Sequence, residues 1–350
     1  MRCSVSVTKF FRNLQPRRLE WEAGLNCLTG PNGAGKTNII ECLHALSGWG
    51  CFRTGASPVA WDSGEPSAYL YGEFGGEESV NVGLRVGART LVRCDERRAS
   101  WTNVRERVPS LAFLAGDLSL VEGTPGVRRA FLDRLCTLLF PPYAWRLSEM
   151  RRALRHRAVL LKQGRNASLT AKVLAPLASW IWESRQSSVA MLAAELERLS
   201  DLLPAPLEMR HARGGSAGRD APPDDFAAGL ERYGQREREA RIPLVGPHRD
   251  DLVLTNSGRS VLALSRGQRR RTAVALMIAA AFAVEKTVRR APVLLLDEIA
   301  AELDGDGRRK TVDALRKSGF QVFAATAEAP AGDWPGGVWE VESGSVRRIR

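Results

Sequence analysis

The chain has 350 residues, 44% hydrophobic and 26% charged, and its 51 lysines and arginines against 39 aspartates and glutamates give a net charge of +12. These are the proportions of a soluble globular protein long enough for two domains, and the positive excess fits either a polyanionic partner or a generally basic proteome. No apolar run approaches the roughly 18 residues of a membrane span and no signal-type apolar stretch follows Met1–Ser4, so a cytosolic protein without a membrane partner is expected.

The six cysteines form no CxxC pair and lie near no His-x-x-x-His, which points to reduced, structural thiols. Cys3 to Val7 alternates valine with small or polar residues, as an N-terminal strand does, and Phe10-Phe11-Arg12-Asn13 is its exit. Leu25 to Leu28 reads as a buried strand. It feeds Gly30 to Thr37, GPNGAGKT, which fits the full GxxxxGK[ST] phosphate loop. Ile39, Ile40, Leu43 and Leu46 then recur at helical spacing. In this context the backbone of Gly30, Pro31, Asn32, Gly33, Ala34 and Gly35 can cradle phosphate oxygens at a helix N-terminus. Lys36 reaches the β- and γ-phosphates of ATP, and Thr37 offers its hydroxyl to Mg²⁺.

Ala68 to Phe74, Ser79 to Val86 and Thr90 to Cys94 are short alternating runs divided by Gly-containing turns, and they predict an antiparallel sheet. Trp101 to Val104 is expected to add an edge strand. Beyond the apolar run Leu111–Leu114 the pattern changes to long helices, so a domain boundary is placed near Gly116. One helix opens at Thr124-Pro125-Gly126 and closes at Pro141-Pro142. A second runs from about Tyr143 to Gln163. A third spans about Val173 to Leu203, broken at Pro176. Between Arg128 and Arg165 ten basic residues face two acidic ones. Such a concentration is either a solvated helix face or a phosphate-contacting surface. Arg210 to Asp225 reads as a flexible loop, Phe226 to Ala240 as helix, and Pro243 to Leu254 as a return to strand.

Leu264-Ser265-Arg266-Gly267-Gln268 opens a helix rich in Ala, Leu and Met, a second place where helix N–H groups can meet an anion. About thirty residues later Val293 to Leu296 predicts a buried parallel strand, and it ends in Asp297-Glu298, where ligands bind in α/β sheets. Asp297 suits Mg²⁺, and Glu298 suits the orientation or deprotonation of an attacking water. Glu302-Leu303-Asp304 follows, then a helix from Arg308 to Lys317 and a strand from Phe320 to Ala324.

GPNGAGKT, LSRGQ and VLLLDE followed by ELD, in that order, resemble the ATPase head shared by ABC transporters, SMC proteins, Rad50 and RecF. Thr37 and Ser265 are 228 positions apart, which leaves room for a helical insertion but not for long heptad arms. Phe11-Arg12-Asn13, Asn38 to Glu41, Gly123 to Asp133 (GTPGVRRAFLD), Arg155 to Leu161 and Gly246 to Leu252 (GPHRDDL) resemble the RecF family, and the likeness covers nearly the whole chain. It departs at Ala115-Gly116-Asp117, where that family has Pro-Glu-Asp or similar, and Thr326-Ala327-Glu328 lacks a switch histidine.

The expected fold is α/β: an ABC-type P-loop ATPase lobe (1–116 and 243–350) with an attached antiparallel β-sheet, plus an inserted α-helical lobe (117–242). The resemblance implies a weak ATPase in which ATP is held between two protomers, the phosphate loop of one facing Ser265, Gly267, Gln268 and Asp304 of the other. It implies that the closed homodimer grips duplex and gapped DNA, with RecR, RecO and RecA as its pathway partners. Arg151, Arg152, Arg155, Arg157, Arg269, Arg270 and Arg271 are the candidate DNA contacts. Arg12 and Arg53 are candidates for nucleotide or DNA. His248 is tempting as a base but is read as structural. Two other readings stay open: the nucleotide-binding subunit of a transporter, and a non-hydrolysing scaffold that uses ATP only to dimerise.

Overall fold

Alternation in the first residues becomes β1 (Arg2–Lys9), whose Cys3, Val5 and Ser6 are buried while Arg2 and Ser4 face solvent. The computed structural model describes residues 1–53, 55–76, 78–114, 119–218, 220–298, 305–327 and 334–350. By its contacts the chain forms two units, Met1–Leu118 with Arg266–Arg350, and Ser119–Ser265. The first unit continues through β2 (Arg17–Glu20), β3 (Leu25–Thr29) and α1 (Lys36–His44), then β4 (Ser67–Gly75), β5 (Val80–Gly87), β6 (Leu91–Cys94) and β7 (Arg97–Arg98). Six of these strands form an antiparallel sheet in the order β2-β1-β4-β5-β6-β7. The strands predicted between residues 68 and 94 are all present.

Trp101 to Val104 is not an edge strand. It lies in α2 (Trp101–Arg107), because Ser100 and Asn103 form a reciprocal capping box that satisfies the N–H groups of both. The apolar run that follows is β8 (Ser110–Phe113).

The second unit holds α3 (Pro125–Leu139), α4 (Tyr143–Lys162), α5 (Thr170–Leu196), β9 (Leu207–Ala212), α6 (Pro222–Ala240), β10 (Asp251–Asn256) and β11 (Arg259–Ser260). Pro176 does not break α5, which runs through it. A proline there removes one backbone hydrogen bond, and the burial of Leu174, Ile181 and Trp182 around it outweighs that loss. Part of the stretch expected to be a loop is strand: β9 pairs with β10 from Leu207↔Asn256 to Ala212↔Asp251. The same pairing keeps Pro243–Ser265 with the helical unit by contact, whereas the sequence pattern places residues from 243 onward in the ATPase lobe.

Tyr143, Trp182, Phe226 and Val245 build the core of this unit. Within it lies a buried polar hub, Asp250, which accepts hydrogen bonds from Arg185 Nη1 at 2.6 Å, His211 Nε2 at 2.7 Å, Trp182 Nε1 at 2.8 Å and Gly214 N at 2.7 Å. His248 is half-buried, with Pro243 O at 3.1 Å from its Nε2, and the loss of solvent around it pushes its pKa down. The GPHRDDL stretch is thus a structural element of the second unit.

The chain re-enters the first unit as α7 (Arg266–Val288), β12 (Val293–Leu296), α8 (Gly305–Ser318), β13 (Val322–Thr326), β14 (Gly337–Glu342) and β15 (Ser345–Arg348). Residues Thr272 to Val284 of α7 are all buried, as in a helix covered on every side. The second sheet has the order β15-β14-β3-β13-β12-β8, with every pair parallel except β14–β15. All four residues of β12 are buried, which is why that segment reads as an uninterrupted apolar run. Ile39, Ile40 and Leu43 of α1 pack in a core shared with Phe74 and Val82 of the antiparallel sheet and Phe323 of the parallel one. Among the described residues no helix is long and apolar enough to cross a membrane.

Candidate nucleotide site

Strand β3 ends at Thr29, α1 begins at Lys36, and the six residues between them form the predicted phosphate loop. Three glycines in it have positive φ: Gly30 at 146°, Gly33 at 80° and Gly35 at 118°. At Gly30 a side chain is excluded twice over, since a Cβ would lie 2.1 Å from Val341 O of β14. The loop is braced from outside. Asn13 Nδ2 donates to Gly33 O at 3.1 Å and Ala34 O at 3.3 Å, Asn38 Nδ2 donates to Asn13 Oδ1 at 2.6 Å, and Gly344 N donates to Ala34 O at 2.8 Å. Lys36 Nζ donates to Gly30 O at 2.6 Å and Pro31 O at 2.9 Å, so its ammonium lies inside the curve of the loop. Burial lowers the Lys36 pKa, against the attraction of Asp297 and Glu298.

The other half comes from the end of β12. Two strands separate in the sheet, β3 and β12 with β13 between them, deliver Thr37 and Asp297 to the same point. Thr37 Oγ1 donates to Asp297 Oδ1 at 3.2 Å, although 260 positions separate them in sequence. Asp297 is 6% exposed. Burial raises its pKa, with Glu298 adding to the rise and the Thr37 hydrogen bond, Arg53 and Lys36 opposing it. A buried carboxylate beside a hydroxyl, with its charge incompletely compensated, is a donor set that fits a hard cation such as Mg²⁺. Glu298 is exposed and takes a left-handed backbone, φ 58°, while Arg270 Nη2 donates to its carbonyl oxygen at 2.9 Å.

Ser265 is exposed immediately before α7, and Gly267 and Gln268 lie in the first turn of that helix. Asp304 and the rest of 299–304, like Asp117 and Glu328, are outside the described residues. Arg12 is not available to a ligand: its guanidinium holds the fully buried Glu41 through two hydrogen bonds, Nε–Oε2 at 2.8 Å and Nη2–Oε1 at 2.9 Å. Arg53 donates to Asn38 Oδ1 at 2.9 Å, and its backbone N–H donates to Glu41 Oε1 at 3.0 Å. A cleft of about 550 Å³ beside the loop is lined by Arg12, Asn13, Asn38 and the 95% exposed Trp61.

Arg151, Arg152 and Arg155 are exposed on α4, Arg151 pairing with Asp133 at 3.2 Å. Arg157 is corrected. It is 7% exposed, donates to Ala167 O and Thr170 Oγ1 at 2.8 Å each and pairs with the buried Glu237, so it cannot present its charge to DNA. Arg270, 5% exposed, is corrected for the same reason; Arg269 and Arg271 are half-buried. Arg128 also pairs within its own unit, with Asp251 at 2.6 Å. The arginine excess therefore overstates the free positive surface. Asn13, Glu41 and the Arg270–Glu298 contact were not anticipated as parts of the site; the FRN and NIIE stretches carried the signal, but not the reason.

A family model described as an AAA domain matches residues 9–101. The DNA replication and repair protein RecF of Heliobacterium modesticaldum is 32% identical over 97% of this chain and 96% of its own. That of Myxococcus xanthus is 32% identical over 91% of this chain and 88% of its own. Among solved structures, the recombination mediator protein RecF-ATPrS in the RecFOR pathway matches with a TM-score of 0.87 and 22% identity, covering 99% of this chain and 98% of that one. An SMC head bound to the C-terminal winged-helix domain of ScpA matches at 0.60 and 17%, covering 100% and 97%, a likeness of fold. With these matches spanning both units, and a phosphate loop joined to an Asp-Glu strand end within one of them, the chain belongs to the RecF family of DNA replication and repair proteins.

Proposed function

We propose that this protein is an ATP-driven DNA-binding switch of recombinational repair. ATP closes two copies into a homodimer on duplex or gapped DNA, slow hydrolysis reopens it, and the cycle serves RecA loading together with RecR and RecO. The observation that carries the reading is the 3.2 Å contact of Thr37 with Asp297, which joins the two halves of a nucleotide site.

Lys36 exchanges its loop carbonyls for β- and γ-phosphate oxygens, and the loop N–H groups with the N-terminus of α1 hold the remaining negative charge. Thr37 and Asp297 would hold Mg²⁺, which supplies charge neutralisation at the phosphates when bound. Glu298 orients the attacking water and takes up its proton, and the Arg270 bond to its main chain sets where that carboxylate starts. A single phosphate loop leaves the γ-phosphate open on one side. Ser265, Gly267 and Gln268, exposed or half-exposed at the start of α7, supply donors from a second copy. Arg151, Arg152, Arg155, Arg269 and Arg271 contribute the phosphate-binding charge, which makes binding salt-dependent and nearly indifferent to sequence.

Membership of the RecF family sets the transporter subunit aside. The scaffold reading is disfavoured by an intact Glu298 and is removed if multiple ATP turnovers are seen in the wild type and lost in Glu298→Gln. The deciding experiment measures duplex affinity and molecular mass of Glu298→Gln with ATP and with ADP at fixed salt. Mass and affinity should rise together with ATP; a doubled mass with unchanged DNA affinity would mean the cargo is something else. Ser265→Arg should bind ATP yet remain monomeric, and a normal dimer in that variant would refute the two-protomer sandwich.

A further inference from the structure

The outer face of the antiparallel sheet in the first unit carries chemistry that the nucleotide site does not use. Ala68, Leu70 and Phe74 of β4 point into the core, so the intervening Tyr69 and Tyr71 point to solvent, 43% and 36% exposed. Strand register sets their neighbours. One row across the sheet runs Lys9, Tyr69, Arg85, Leu91, and the next runs Tyr71, Gly83, Arg93. Together they line a depression of about 500 Å³. Gly83 forms its floor for no backbone reason, since its φ is not positive and a Cβ there would meet nothing within 4 Å. Glycine in mid-strand weakens a sheet and marks places where another group lies close to the backbone. On this side Glu73 and Glu20 share Arg18, at 3.0 Å and 3.7 Å, and Asp95 is paired with Arg107, so Lys9, Arg85 and Arg93 outweigh the remaining carboxylate beside Tyr71, Glu96.

We propose that this face is a stacking platform for single-stranded nucleic acid, with bases lying on Tyr69 and Tyr71 over Gly83 and phosphates held by Lys9, Arg85 and Arg93. Exposed aromatics on an open sheet, interleaved with cations, match what unpaired bases require, whereas in a duplex the base faces are hidden. The inference rests on the reading of this chain as a DNA-binding protein and gives it a surface for the unpaired part of a gap.

The test is fluorescence anisotropy of a labelled thymidine oligonucleotide of about fifteen nucleotides and of a blunt duplex of the same length, with full-length protein across a salt series. Tyr71→Ala should weaken single-strand binding about tenfold while leaving the salt slope unchanged. Arg85→Ala and Arg93→Ala should each lower the slope by about 0.7. Gly83→Leu adds a side chain where there is room, so the protein should melt no earlier than wild type yet bind the oligonucleotide at least about tenfold more weakly. Wild-type single-strand affinity in Tyr71→Ala and Gly83→Leu overturns the platform, as does an equal loss on the blunt duplex. Neither result bears on ATP-dependent dimerisation or on duplex binding by the wild type, whereas failure of the wild type to bind any DNA sinks the DNA-switch reading itself.

Discussion

Adjacent aspartates in the GPHRDDL stretch should differ several-fold in their worth to the fold. Asp250 is fully buried and its two oxygens accept four hydrogen bonds, two of them from the Arg185 guanidinium and the His211 ring. Asp250→Asn keeps the shape but turns an NH₂ toward donors and removes one of the carboxylates that balance the buried Arg185. Breaking a buried pair from one side costs about 3–5 kcal/mol. Arg185 keeps Asp133 at 2.7 Å and Pro247 O at 2.7 Å, which puts the expected loss near the lower end, about 3 kcal/mol. Asp251, with a side chain 28% exposed and Arg128 as its partner, should lose about 1 kcal/mol or less as Asn.

Urea unfolding followed by hydrogen exchange of the α5 amides reads the two variants against wild type. Equal shifts, or less than about 1 kcal/mol for Asp250→Asn, would refute the assignment of Asp250 as a hub. The pH dependence adds a second check. Burial raises the Asp250 carboxyl, but the His211 hydrogen bond, the Arg185 charge and the Gly214 N–H outweigh it and hold the pKa below the ordinary carboxylate range. A depressed carboxylate contributes its stability above the unfolded value, about 3.9, and loses it as pH falls through the folded value. The advantage of wild type over Asp250→Asn should therefore be full at neutral pH and shrink below about pH 4.

Lys36→Ala should weaken ATP binding by about 3 kcal/mol, roughly a hundredfold in the Kd of a fluorescent ATP analogue, without lowering the melting temperature. Arg270→Lys should slow hydrolysis about ten- to a hundredfold at unchanged ATP affinity, because it loosens the main chain that carries Glu298; an equal loss of affinity would place its effect on the phosphate loop instead. Gly30→Ala should cost about 3 kcal/mol or more through its clash with Val341 O, whereas Gly33→Ala, which meets nothing within 4 Å, should cost about 1 kcal/mol from its positive φ alone. Thermal melts of the two variants side by side separate these effects.

Sequence alone determined the parts whose chemistry is local. A phosphate loop needs particular residues at particular spacing, so GPNGAGKT was legible without a fold, and strict alternation made β4, β5 and β6 legible in the same way. The four apolar residues before Asp297 announced a strand buried on both faces. What only the tertiary structure decided is the set of charges that have partners. Arg157 and Arg270 resemble their more accessible arginine neighbours in sequence, yet Glu237 lies 80 positions from the first and the Glu298 carbonyl 28 from the second. Trp101 to Val104 has the short-range pattern of a strand, and the capping box at Ser100 and Asn103 outweighs it. The bracing of the phosphate loop by Asn13 and the β14–β15 turn was invisible for the same reason as the meeting of Thr37 with Asp297. The parallel sheet aligns strands from opposite ends of the chain, and contacts made across it depend on register, which no local stretch of residues encodes.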